Sequence, residues 1–226
     1  MKNKFIIIVV LFVSPFLIQS CGNSNNSSAK NDMDSSMKHE MQNDSMNAGK
    51  MHMNNSMMQL MNNTMAKVNS MKMSGDFDLD FANMMIMHHQ AAIDMSVEEI
   101  AKGTDGQIKT MAQNIVSAQK TEIKQLQQFI NSYKVPAEKN KNGAMHNELN
   151  EAMKTMMDKM NSIQLTGNSD KDFVMMMIAH HESAVKMADD EIVYGKQSEL
   201  KKMAQKMSAD QSKEIANFKA WLSSQK

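Results

Sequence analysis

The chain has 226 residues, a length that allows one or two domains. Its formal net charge is zero, and it contains no arginine. A balanced charge gives no electrostatic attraction to nucleic acid, and without guanidinium groups the chain lacks bidentate phosphate recognition. Methionine is abundant, with 29 residues, whereas there is one cysteine, so no disulfide can form within the chain.

The first 20 residues have the pattern of a lipoprotein signal peptide, and we exclude them from the fold. Lys2 and Lys4 precede an apolar stretch, residues 5–18, that is short for a transmembrane helix. The stretch ends at Ser20-Cys21, a small residue before a lone cysteine. We expect lipidation of Cys21 and an anchored protein in the bacterial cell envelope, on the periplasmic side or the cell surface. The alternative is an ordinary signal peptide followed by an incidental cysteine.

Residues 21–55 are rich in asparagine and serine, with scattered methionine and histidine. Such a segment cannot bury enough apolar surface to fold, which predicts a disordered tether. Its thioethers and imidazoles could wrap a soft cation, or the segment could be a spacer of biased composition.

Helical periodicity begins near Ser56 and predicts three helices within residues 56–133. The second should run from about Phe77 to Lys102, with Gly103 as its C-terminal stop. The third should begin at Thr104, where Thr-x-x-Gln has the form of a capping box.

The same plan returns 92 residues later, in residues 146–226, after a polar linker at 134–145. We interpret this as an internal duplication of an all-α, helical-bundle unit with about three helices per repeat, since no segment alternates like a strand. Three helices alone would leave an apolar face open. The repeats should therefore pack on each other, or the chain should form a homodimer.

The second helix of each repeat carries the pattern Met-Met-Ile-x-His-His, at residues 84–89 and 176–181. Thioether and imidazole together suit copper, and residues three or four apart share a helix face. Each helix can offer several ligands, and a neighbouring helix must supply the rest. The predicted metal ligands are Met84, Met85, His88, His89, Met95, Met176, Met177, His180, His181, Met187, Met61 and Met153.

Adjacent histidines project about 100° apart around a helix axis, so the two should not chelate one ion together. One could bind metal while the other makes a supporting contact. Gln119 and Gln211 interrupt apolar faces and are the expected imidazole partners, with Glu122 and Glu214 as alternatives. The competing interpretation is that these methionines and histidines only pack the core.

The run Asp-Phe-x-x-Met-Met-Ile-x-His-His, followed by a helix with Gln-x-x-Glu-Ile, resembles the domain of unknown function 305 family. The resemblance covers residues 56–226 as two tandem copies. It implies a ferritin-like helical fold and copper binding in the envelope. By position it points to the residues Met85, His88, His89, Met95, Met177, His180, His181 and Met187.

The favoured hypothesis is a non-enzymatic lipoprotein that sequesters or shuttles copper and contributes to copper tolerance. Cu(I) is the favoured ion, with Cu(II) and Ag(I) as further candidates, and a copper exporter or chaperone would be the protein partner. One alternative is a helical interaction module with a methionine-rich core and no metal. The other is a ferritin-like metal oxidase, but a di-iron centre needs a Glu-x-x-His motif that this chain lacks.

Overall fold

The computed structural model describes residues 56–134 and 143–225. Within them lie six helices and no strand: α1 (56–70), α2 (Phe77–Lys102), α3 (Gly106–Ser132), α4 (Gly143–Ser162), α5 (Ser169–Tyr194) and α6 (Ser198–Ser224). The predicted all-α fold with three helices per repeat is confirmed. The predicted signal peptide, Cys21, the tether and linker residues 135–142 lie outside the described residues. Helix α4 begins inside the segment that was expected to be linker.

Helices α2 and α5 start in the same way, through a tight turn and a polar cap. Asp76 caps α2 by accepting the amide of Leu79 at 3.0 Å, and Asn168 caps α5. The turns place Gly75 and Gly167 at φ values of 84° and 76°, a left-handed conformation that glycine adopts without strain. These turns separate α1 from α2 and α4 from α5.

The ends of α2 and α5 require glycine for a different reason from the one expected. Gly103 has φ of −62° and Gly195 has φ of −61°, so neither forms a left-handed cap. A Cβ added at Gly103 would lie 2.0 Å from Oε1 of Glu99, and one at Gly195 would lie 2.1 Å from Oε1 of Glu191. Glycine is present because a buried glutamate side chain folds against the helix end.

Helix α3 is capped by Asp105, whereas the sequence predicted Thr104. The Asp105 carboxylate accepts the amides of Gln107 and Ile108 at 2.8 and 3.0 Å. The Thr104 hydroxyl instead donates to Asp170 at the start of α5, at 2.7 Å. The short aspartate takes the cap, and the threonine makes a contact between the repeats.

Two aspartates join the repeats reciprocally. Asp170, in the first turn of α5, accepts the amides of Thr104 and Asp105 before α3, both at 2.9 Å. Asp78, in the first turn of α2, accepts the amides of Lys196 and Gln197 before α6. Helix α2 therefore runs antiparallel to α5, and the start of each lies beside the end of the other.

The two repeats form one body, with the packed pair α2 and α5 between them. Phe77 at the start of α2 meets Tyr194 at the end of α5 with ring centroids 5.7 Å apart. A continuous apolar core, rich in methionine, includes buried residues from all six helices. The apolar face that a single repeat would expose is covered by the other repeat. Among the described helices, none is apolar and long enough to cross a bilayer.

Candidate metal centre

The four histidines of the doubled motif lie midway along α2 and α5, and all are fully buried. The antiparallel helices bring one histidine from each repeat together. The rings of His88 and His180 have centroids 3.7 Å apart with an interplanar angle of 39°. This pair is the point at which the two motifs meet, and it belongs equally to both repeats.

The His88–His180 pair has unused hydrogen-bonding capacity. Neither Nδ1 nor Nε2 of either ring meets the distance and angle of a hydrogen bond to another described residue, although each ring lies near the backbone of the other histidine. Burial, and then neighbouring imidazoles, hold the pKa of both histidines well below the ordinary value of 6.5. Both rings are therefore neutral at pH 7, which is the form that binds metal. An unsatisfied buried polar atom costs about 1–3 kcal/mol, so the arrangement needs an explanation beyond packing.

The second histidine of each motif contacts a carboxylate from the third helix of its own repeat. His89 Nε2 lies 2.9 Å from Glu122 Oε2, and His181 Nε2 lies 2.9 Å from Glu214 Oε2. These contacts have the distance of an ion pair but not the alignment of a hydrogen bond. Within each motif the ring centroids are 6.4 and 6.2 Å apart, so neighbouring histidines face different partners.

The expected role of the glutamines was wrong. Gln119 and Gln211 are buried, with 2% and 3% exposure, but their side-chain amides have no partner among the described residues. The glutamates three positions further along α3 and α6, which were the alternative, contact the histidines instead. Glu122 is itself buried, because α3 turns this face towards α2.

The predicted methionine ligands are all fully buried in the same core as the histidines. They are Met61, Met84, Met85, Met95, Met153, Met176, Met177 and Met187, each with 0% exposure. No group of three or more His, Cys, Asp or Glu side chains converges within the described segments. A metal held near the histidines would therefore need ligands of another kind, and thioether is the other soft donor buried in this part of the protein.

The sequence predicted that a neighbouring helix completes the ligand set of each motif, and the structure brings the two motif helices together. At His88 the partner is His180, which the other repeat supplies. The side chains of Met61 and Met153 lie in the surrounding core, and no contact assigns them to one histidine. The structure thus brings His88 and His180 together and buries every predicted methionine, without a contact that assigns a methionine to either histidine.

Sequence reasoning missed a second set of buried polar groups, Glu99 and Glu191. Both are fully buried. Burial, followed by the neighbouring carboxylate of Asp170, raises the pKa of Glu99 to about 9. Burial, followed by the charge of Asp78, raises the pKa of Glu191 to about 9. The repeated spacing of four residues between glutamate and glycine, at 99–103 and 191–195, was the available signal.

Asp170 shows the complementary effect. Although burial raises its pKa, hydrogen bonds from the Thr104 hydroxyl and the Asp105 amide hold it below the ordinary value. At neutral pH a protonated Glu99 therefore lies beside an ionised Asp170 at the contact between repeats. This contact joins the last turn of α2 to the first turn of α5.

Comparison with known proteins identifies the class. A family model for a domain of unknown function, DUF305, matches residues 19–130 and again residues 78–222. The chain therefore belongs to the DUF305 family, and the domain is repeated. A search of curated proteins found no match.

Several solved structures are similar. CopM in its Cu(II)-bound form shares 30% identity, covering 66% of this chain and 97% of CopM, with a TM-score of 0.49. CopM in its Cu(I)-bound form shares 29% identity, covering 65% and 96% of the two chains, with a TM-score of 0.49. A DUF305 protein from Streptomyces coelicolor shares 21% identity, covering 67% and 95%, with a TM-score of 0.53. The last of these supports the fold.

Proposed function

We propose that this protein binds copper, chiefly Cu(I), in the core that its two repeats share, and that it sequesters or shuttles the ion. The observation that carries the proposal is the His88–His180 pair. Its ring nitrogens are buried and without partners among the described residues, within a core containing eight fully buried candidate methionines. Neutral imidazole and thioether are the donors that soft copper prefers.

The donor set favours an ion of low charge. Thioethers and neutral imidazoles bring no negative charge, so an ion that they alone hold keeps its charge inside the core. The desolvation penalty of a buried ion grows with its charge, which favours Cu(I) or Ag(I) over a divalent ion at the His88–His180 pair. Cu(II) would require the carboxylates of Glu122 and Glu214, which contact the other two histidines.

The burial of the histidines supports storage or transfer over catalysis. His88, His89, His180 and His181 have no exposed surface, so none presents an open coordination position to a substrate in solution. Copper would enter when α2 and α5 separate locally, and it would leave by the same route. Slow exchange of this kind suits an ion that must be kept from free solution.

The cellular setting is part of the proposal. An apolar stretch that ends at Ser20-Cys21 supports a lipid anchor in the bacterial envelope. An anchored copper-binding protein there would contribute to copper tolerance and would pass its cargo to an exporter or chaperone. Mass spectrometry of the membrane fraction tests the anchor, since acylation adds a diacylglycerol mass at Cys21 and Cys21→Ser abolishes it. An unmodified cysteine in the mature protein would reject this part.

Anaerobic titration of the full chain with Cu(I) against a competing chelator tests the copper assignment. CopM has been solved with copper and silver bound, which makes these ions the first to test. We expect tight binding in the wild type and only weak binding after alanine replaces all four histidines. Met111→Leu, a half-buried position on α3, is the control and should bind as the wild type does. A wild-type protein that fails to compete with a weak chelator would refute the assignment.

A further inference from the structure

A pocket of about 430 Å³ opens between α1 and α4, and no histidine is among the described residues that line it. Four of its lining residues are methionines: Met65 of α1, Met71 and Met73 of the following turn, and Met153 of α4. The first three are half-buried and so keep part of their surface in contact with solvent, whereas Met153 is fully buried. The unbranched methionine side chain can adjust its sulfur position to a ligand.

Met71 and Met73 also pack against the apolar core, but this packing does not require a thioether at either position. In the second repeat the positions that correspond to Met71 and Met73 are Ile163 and Leu165, 92 residues further on. Both turns end in the same way, with a left-handed glycine before the next helix. Branched aliphatic side chains therefore occupy these two turn positions in the second repeat, whereas the first repeat has thioethers there.

The charges of the residues that line the pocket favour one class of ion over another. Asn69 and Asn150 are neutral, and the described residues that line the pocket include no carboxylate. Lys154, a cation in this described lining, is paired with Asp158 at 3.0 Å on the same helix. Hard divalent ions need anionic oxygen ligands that this pocket lacks, whereas neutral thioethers bind soft monovalent ions.

We propose that Met65, Met71, Met73 and Met153 form a second metal site, which uses thioethers alone and binds Cu(I) or Ag(I) from solvent. This site would bind the same ions as the proposed histidine centre, and to that extent the inference rests on the proposed function. The site is distinct from the histidine centre because it is open to solvent. Its inner residue, Met153, is fully buried and belongs to the apolar core.

The test is titration of the full chain with Ag(I), which has no redox chemistry to control, followed by anaerobic Cu(I). The variant Met71→Ile with Met73→Leu gives the first repeat the residues of the second, so its fold should be unchanged. We expect it to lose one bound ion, or to bind that ion at least about tenfold more weakly. Met58→Leu, another half-buried methionine of α1 that does not line the pocket, should leave binding unchanged.

A second measurement uses the wild-type chain, so its result does not depend on whether a variant folds. In the wild-type chain labelled at methionine methyl groups, the signals of Met71 and Met73 should shift at the first equivalents of Ag(I). If the wild type binds Ag(I) but these signals stay fixed and the double variant retains every ion, the pocket site is refuted while the proposed function stands. If the wild type binds neither ion, both proposals fail.

Discussion

The imidazole rings of His88 and His180 lie with centroids 3.7 Å apart, and each comes from a different repeat. Because α2 and α5 run antiparallel, the duplicated motif meets its own copy at the crossing of the helices. Neither repeat alone contains this pair. The duplication therefore creates a feature that a single copy of the sequence could not hold within one chain.

The first prediction concerns the stability of the metal-free protein. His88→Leu or His180→Leu replaces a buried imidazole, which makes no hydrogen bond within the described segments, by an apolar side chain. We expect the free energy of unfolding of the metal-free protein to stay the same or rise by about 1–2 kcal/mol, since the unsatisfied polar atoms are removed. The same variants should lose tight Cu(I) binding. Urea unfolding and metal titration measure the two effects.

The matched control is His89→Leu, one residue away on the same helix. It leaves the buried carboxylate of Glu122 without the histidine that lies 2.9 Å from it. We expect this variant to be less stable by about 1–3 kcal/mol. Equal effects of the two substitutions on the metal-free protein would show that the neighbouring histidines do not occupy the different environments described.

The second prediction concerns the contacts that hold the repeats together. Asp170 accepts the amides of Thr104 and Asp105, and Asp78 makes the equivalent contact in the other direction. Asp170→Ala should destabilise the protein by about 1–2 kcal/mol, because the amides of Thr104 and Asp105 at the start of α3 lose the carboxylate that accepts their hydrogen bonds. Asp158→Ala, on the surface of α4, is the control and should change stability by less than about 0.5 kcal/mol. Chemical denaturation compares them, and similar values would contradict this account.

The third prediction concerns the glycines at the ends of α2 and α5. Gly103→Ala would place a Cβ 2.0 Å from the Glu99 carboxyl and 2.7 Å from the Glu99 carbonyl oxygen. Overpacking of this kind should cost about 1–3 kcal/mol, and Gly195→Ala should behave alike. Gly106→Ala is the control, because nothing lies within 4 Å of its added Cβ. If all three variants unfold at the same temperature, the proposed close approach is wrong.

The fourth prediction is a pH dependence that arises from Glu99 and Glu191. Their pKa values rise from 4.5 to about 9 on folding, so the folded state keeps protons that the unfolded state releases. The free energy of unfolding should therefore fall as pH rises from about 4.5 towards about 9. The window from pH 7 to 9 isolates this effect, since His88 and His180 titrate below it.

Substitution separates these two glutamates from other groups. Glu99→Gln is neutral at every pH, so the fall in stability between pH 7 and 9 should be roughly halved, and the double variant with Glu191→Gln should lack it. Glu151→Gln, at an exposed position of α4, should retain the wild-type slope. An undiminished slope in the double variant would assign the effect elsewhere.

Much of the fold could be predicted from the sequence because its signals are local. Apolar spacing predicted α2 from Phe77 to Lys102, and these are the bounds observed. The break at Gly75 and the repeat interval of 92 residues were also readable. The cap of α3 was misassigned to Thr104, because a contact with Asp170, distant in sequence, decides what the threonine does.

The residues of the candidate site could be predicted from the sequence, but the arrangement of their side chains could not. Helical spacing placed His88 on the buried face and His89 on its flank, and the two contact different partners. That His88 meets His180 depends on how α2 crosses α5, which no local pattern encodes. The choice of Glu122 over Gln119 as the contact of His89 likewise depends on the rotation of α3 against α2.

X-ray absorption at the copper edge of the Cu(I)-loaded full chain tests the central claim most directly. We predict a mixed shell of imidazole nitrogen and thioether sulfur in the wild type, and loss of the nitrogen contribution in the variant with His88→Leu and His180→Leu. A wild-type shell of sulfur alone, or an unchanged nitrogen contribution in that variant, would contradict a copper centre built on the histidine pair shared by the two repeats.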